Sequence, residues 1–202
     1  MARYGLYIDV KRCIGCYTCV VACKNWHQID AGYDGGRIRL VDLSEGKYPD
    51  ISRTILPVLC MQCENAPCID ECPIEGAIYR REDGIVVIEK GKCKGCKSQP
   101  CIPACPYGVL YYREDEDTVD KCDFCVERID LGLEPYCVAT CPTEAIIFGD
   151  LDDPDSEVSR SIAATEAKPL FTESRAKPKA YYAHLPLSSV HLVKMLGRPS
   201  RH

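Results

Sequence analysis

Apolar and polar residues alternate along residues 4–10, a period of two that predicts a strand near the start of the chain. Residues 37–43 and 52–59 are further strand candidates, rich in Ile, Leu and Val. Residues 76–80 and 85–88 flank Glu82-Asp83-Gly84 and so read as a hairpin closed by an Asp-Gly turn. Residues 145–148 repeat the strand at 76–80. The apolar runs at 55–60 and 85–88 fall far below the roughly 18 residues of a membrane span. The expectation is an α+β chain with short helices between the strands.

Composition changes the picture. A hydrophobic content of 46% suits a globular chain, but three Phe and one Trp leave little aromatic core. Sixteen cysteines in 202 residues is a density at which cross-links or metal supply stability that a small core lacks.

The cysteines fall into four groups of four: Cys13, Cys16, Cys19, Cys23; Cys60, Cys63, Cys68, Cys72; Cys93, Cys96, Cys101, Cys105; and Cys122, Cys125, Cys137, Cys141. Each opens with Cys-x-x-Cys and closes with Cys-x-x-x-Cys. Three chemistries compete for them. Disulfides suit a secreted chain, and Cys-x-x-Cys spacing gives them poor geometry. Zinc uses such knuckles but normally joins two separated ones. In the first three groups, three thiols share one short loop and the fourth lies a helical turn beyond, which favours an iron–sulfur cubane whose fourth cysteine serves a neighbouring cluster, as in two-cluster ferredoxins. Pro73, Pro106 and Pro142 follow the last cysteine of groups two, three and four, where a fixed φ and a missing N–H stop a short helix. Group one has no such stop. Its helix is expected to continue past Cys23 through Trp26 and His27 until Gly32 or the Gly35-Gly36 pair.

The remaining residues exclude several functions. There is no nucleophile with a partnered base, no phosphate-cradling glycine motif and no flavin or nicotinamide signature. The acidic balance, −5, argues against nucleic acid. Clusters make it more negative, about −13 for four cubanes at about −2 each. Lys11, Arg12, Lys24, Lys90, Lys92, Lys94, Lys97, Lys121 and Arg128 lie close in sequence to cysteines, either to offset this charge or as solvated surface. Trp26 and His27, which follow group one, are candidates for cluster ligands or tunnelling aids, against packing or a partner contact. Tyr107, Tyr111, Tyr112 and Tyr136 read as packing around the clusters, and residues 114–117 as a solvated acidic turn.

The four groups in this order, with Cys122-Asp-Phe-Cys125, Arg128, Gly132, Pro135 and Cys137-Val-Ala-Thr-Cys141-Pro-Thr-Glu-Ala145, resemble the iron–sulfur subunit of dimethyl sulfoxide reductase family molybdoenzymes. The resemblance covers residues 4 to about 150, and Gly149–Asp153, Lys177-Pro178 and Tyr181-Tyr182 are similar to the family's tail. It implies two ferredoxin-like domains of two clusters each, the inner inserted into the outer. The outer domain takes residues 1–45 plus 113–150, the inner 46–112, and residues 151–202 form a tail that wraps a partner. By the same resemblance, Cys13, Cys16, Cys19 and Cys141 hold one [4Fe–4S] cluster and Cys122, Cys125, Cys137 and Cys23 its neighbour. Cys60, Cys63, Cys68 and Cys105 hold a third, and Cys93, Cys96, Cys101 and Cys72 a fourth. Some relatives lack a group-three cysteine and hold a three-iron cluster, whereas all sixteen ligands stand here. Between Cys96 and Cys101 lie four residues where many relatives have two.

The implied function is electron transfer, without a catalytic site, between a large molybdenum or tungsten pterin subunit and a membrane-anchor subunit or soluble carrier. The same architecture also fits a polyferredoxin serving a hydrogenase or carbon monoxide dehydrogenase. No export signal precedes Cys13, so the expected compartment is the cytoplasm, or the far side of a membrane reached folded with a signal-bearing partner.

Overall fold

A computed structural model of the chain describes residues 2–30, 35–171 and 175–186. Strand β1 (Tyr4–Asp9) forms where alternation predicts it. Helix α1 (Thr18–Trp26) runs past Cys23, in keeping with the missing proline stop. It ends sooner than expected, because Gln28 turns left-handed at φ 51°; Gly32 lies outside the described residues. Strands β2 (Ile38–Lys47) and β3 (Asp50–Leu59) pair antiparallel from Ile38↔Leu59 to Lys47↔Asp50. Both exceed the apolar pattern that marked them, since the outer half of this ribbon is exposed and needs no alternation. Pro57 is accommodated because a two-stranded ribbon has only edges.

Short elements follow. Helix α2 (Pro67–Asp70) starts on a proline, whose absent N–H costs nothing there. Strands β4 (Ile78–Arg80) and β5 (Val86–Ile88) form the expected hairpin, with Gly84 at φ 79° in its turn. Helices α3 (Lys90–Cys93) and α4 (Cys101–Ala104) carry group three. Strands β6 (Tyr111–Arg113) and β7 (Thr118–Asp120) make a second hairpin whose turn is the acidic stretch. That turn is not simply solvated: Asp115 and Glu116 both pair with buried Arg113. Helices α5 (Val126–Ile129) and α6 (Tyr136–Ala139) carry group four, and strand β8 (Ile146–Asp150) follows. Helix α7 (Glu157–Thr165) is capped by the Ser156 hydroxyl, which accepts from Ser159 N at 3.2 Å. Strands β9 (Lys168–Pro169) and β10 (Ala180–Ala183) complete the order.

Four strands form one sheet in the order β8-β1-β10-β9, with β8 antiparallel and β10 parallel to β1. Within the stretch expected to wrap a partner, the described residues thus fold back on their own chain. Residues 175–179 also run along the group-two loop, where Lys179 N donates to Met61 O at 2.8 Å and Glu64 N to Lys177 O at 2.9 Å. Tyr182 locks this return: it is 2% exposed, and its hydroxyl donates to Pro57 O at 2.9 Å. Tyr182→Ala is expected to destabilise the chain by about 3–5 kcal/mol, as for other buried aromatics. Tyr182→Phe, losing one hydrogen bond, is expected to cost about 1 kcal/mol. Anaerobic urea denaturation checks both, and equal midpoints for the two variants would refute the packing role.

The main core is one continuous cluster in which Leu6, Ile8, Leu56, Met61 and Ile85 mix with cysteines of all four groups. Helix α1 packs on α6, and α2 on α4. Groups one and four therefore meet, as do groups two and three.

Candidate metal centres

One backbone device recurs in all four Cys-x-x-Cys loops. The residue before the second cysteine is left-handed: Gly15 at φ 68°, Gln62 at 48°, Gly95 at 77° and Phe124 at 59°. This turn brings the two flanking thiols to the same side of the loop. Glycine adopts it freely, whereas Gln62 and Phe124 bear a cost of about 1–2 kcal/mol. Both are held by burial, at 0% and 1% exposure.

The loops and helices bring thiols of different groups together. Cys13, Cys16, Cys19 and Cys141 line one cavity. Cys60, Cys63, Cys68 and Cys105 line another, with Met61 and Val86 among its apolar walls. Cys122 lies within electrostatic reach of Cys137, Cys23 and Cys125. Cys72 is within reach of Cys93 and Cys101, and Cys96 is a neighbour of both. Among the described residues, no three His, Cys, Asp or Glu side chains are close enough to share a single metal ion.

Burial dominates the chemistry of these thiols. It pushes Cys19, Cys23, Cys68 and Cys101 up to about 12. It also raises Cys63, Cys122 and Cys137, the neighbouring thiols adding to it. Four thiolates therefore cannot coexist in such a space unless a cationic core replaces their protons. Backbone amides already point at sulfur: Val119 N to Cys93 Sγ and Phe124 N to Cys122 Sγ at 3.4 Å, and Ala145 N to Cys141 Sγ at 3.3 Å. Soft donors in fours, apolar walls and inward amides fit an iron–sulfur core.

A buried polar cluster flanks Cys125, and of its members only His27 is a candidate from the sequence. Arg37 pairs with Asp120 at 2.9 Å and Asp123 at 2.8 Å. Burial opposes its charge, but the two carboxylates outweigh it and raise its pKa. His27 Nε2 lies 3.3 Å from Cys125 Sγ and 3.3 Å from Arg37 Nη1. A guanidinium only donates, so the nitrogen accepts from it. Burial, then Arg37, lowers the His27 pKa to about 4. Trp26 instead packs at 5.6 Å from Tyr136, and Arg128 lies over both rings. Of the basic residues picked out by sequence proximity, only Lys121 is buried, at 1% exposure. Lys11, Arg12, Lys92, Lys94 and Lys97 are exposed, and Lys90 pairs with Glu116. Local pattern missed Arg37, whose Asp120 partner lies 83 residues away, and marked Lys121 only as one of several basic residues near cysteines, since its Val86 partner lies 35 residues away.

Comparison with known proteins agrees with this chemistry. Residues 51–151 match the 4Fe-4S dicluster domain family. A tetrathionate reductase subunit of Salmonella typhimurium is 35% identical over 97% of this chain and 77% of its own length. The thiosulfate reductase electron transfer subunit of Salmonella typhi is 39% identical over 81% of this chain and 83% of its own. The arsenate respiratory reductase iron–sulfur subunit of Shewanella is 31% identical over 89% and 95%. No helix among the described residues is long and apolar enough to cross a membrane. With cysteines that meet across groups and relatives matched along most of its length, the chain belongs to the family of iron–sulfur subunits of molybdopterin-type reductases.

Proposed function

We propose that this chain holds four [4Fe–4S] clusters and conducts electrons between a molybdenum or tungsten bis-pyranopterin catalytic subunit and a membrane-anchor subunit or soluble carrier. The observation that carries this reading is the meeting of thiols from different groups. It supports the ligand sets Cys13/Cys16/Cys19/Cys141, Cys122/Cys125/Cys137/Cys23, Cys60/Cys63/Cys68/Cys105 and Cys93/Cys96/Cys101/Cys72. The packing of α1 on α6 and of α2 on α4 supports an inner two-cluster domain inserted into an outer one. When bound, the clusters supply one-electron chemistry. The chain's own part is to hold them in line and exclude water. Its compartment is the cytoplasm, or one reached folded with a signal-bearing partner.

The surface around Cys16 suits the catalytic subunit. Cys16 is exposed and shares its cavity with Ile14 and Tyr17, and these two and Val21 of α1 are 64%, 51% and 65% exposed. Ile55 of β3 presses against Gly15, so the long ribbon borders the same face. Apolar residues this open, beside a ligand, mark a contact surface. Ile14→Glu with Val21→Glu is expected to weaken binding of a pterin-containing partner tenfold or more while iron content stays unchanged. Anaerobic co-purification checks this. Undiminished binding would remove the interface, and a nickel protein as the constant companion would favour the polyferredoxin reading.

A further inference from the structure

Gln62 sits between Cys60 and Cys63 yet bonds to the other half of the chain. Its amide Nε2 donates to Cys122 O at 2.8 Å, and its Oε1 accepts from Val86 N at 2.7 Å. Lys121 Nζ doubles this link, donating to Val86 O and, at 3.2 Å, to the same Cys122 O. Val86 in turn lines the cavity of Cys60, Cys63, Cys68 and Cys105. Two buried side chains thus tie a cysteine of one set to the wall of another.

A buried ammonium whose bonds go to carbonyls is costly unless negative charge stands nearby. Of the adjacent carboxylates, Asp123 is within electrostatic reach of Lys121, and Asp120 and Asp123 both pair with the single charge of Arg37. The Lys121 charge is next in sequence to Cys122 and within electrostatic reach of Cys68. Sulfur-bound clusters on either side are anions of the required kind.

Building on the four-cluster reading, we propose that Lys121, held in place by Gln62, is a positioning residue that raises the reduction potentials of the two clusters meeting at this junction. A fixed positive charge favours whichever state carries the extra electron. Passage across the junction moves one electron, one cluster being oxidised as its neighbour is reduced, with no bond or proton transferred. Sharing one cation moves the two levels upward together, so the gap between them is left unchanged.

The test uses the full chain purified anaerobically with its clusters, and redox-poised EPR titration. In Lys121→Met, the reduced-to-oxidised ratio of the Cys122 and Cys60 clusters at a fixed potential is expected to fall tenfold or more, equivalent to about 59 mV for one electron. Gln62→Glu places a carboxylate beside the ammonium and is expected to move the same two clusters in the same direction. The Cys13 and Cys93 clusters should change less than threefold. Unmoved potentials, equal shifts in all four clusters, or loss of iron from both variants would overturn the inference. If the unsubstituted chain itself does not hold four clusters, the fault lies in the proposed function and not in the junction.

Discussion

Chelating the iron from the anaerobically purified chain is expected to abolish its cooperative unfolding transition. Cysteines of all four groups belong to the main core, and five of the seven helices among the described residues are only four residues long. Helices that short do not persist without tertiary support. Without metal, the walls of each cysteine cavity face one another across a space and lose the atoms they pack against. The holoprotein is expected to contain about sixteen iron and sixteen sulfide per chain. Iron and sulfide assays with far-UV circular dichroism before and after chelation check both statements. An apo chain with an unchanged transition, or stoichiometric zinc with little iron, would sink them.

The second large effect is expected from Cys141→Ser. Cys141 is far from group one in sequence but shares a cavity with Cys13, Cys16 and Cys19. Its loss should damage the cluster held by those three residues and leave the one at Cys122, Cys125 and Cys137 spectroscopically intact. In complex with the catalytic subunit, electron passage between active site and external carriers should fall to background. The pterin cofactor should stay bound, and dyes that reach it directly should still be turned over. Cys105→Ser provides the matching case, altering the cluster of Cys60, Cys63 and Cys68. Damage confined to each cysteine's own sequence group would refute crossed ligation.

The sequence made much of this legible. Alternation marked β1 and the Asp-Gly turn marked the β4–β5 hairpin, although β1, an inner strand, is buried on both faces. The prolines after groups two, three and four correctly indicated short helices, and their lack in group one a longer one. The β6–β7 hairpin escaped, since its three-residue strands show no period and its acidic turn lacks the Asp-Gly signal that marked the equally short β4 and β5. β10 escaped for another reason: its pairing with β1 spans the whole chain and leaves no local trace. Gln62 and Arg37 were equally silent. Each is a buried polar residue with a partner far along the chain, 60 positions for Gln62 and 83 for Arg37, and spacing arguments do not see such pairs.

The nesting of the cysteine cavities also orders events during synthesis. The cavity of Cys60, Cys63, Cys68 and Cys105 has its full complement of thiols once the ribosome has passed residue 105. Cys13, made first, waits for Cys141, and β1 waits longer still for its neighbour at 180–183. At roughly 5–20 residues per second, these intervals last on the order of seconds, during which three nascent thiols stand without their fourth. The earliest cysteines are thus the last to be sheltered, and the Cys13 loop is where oxygen or a stray metal has its longest opportunity to interfere.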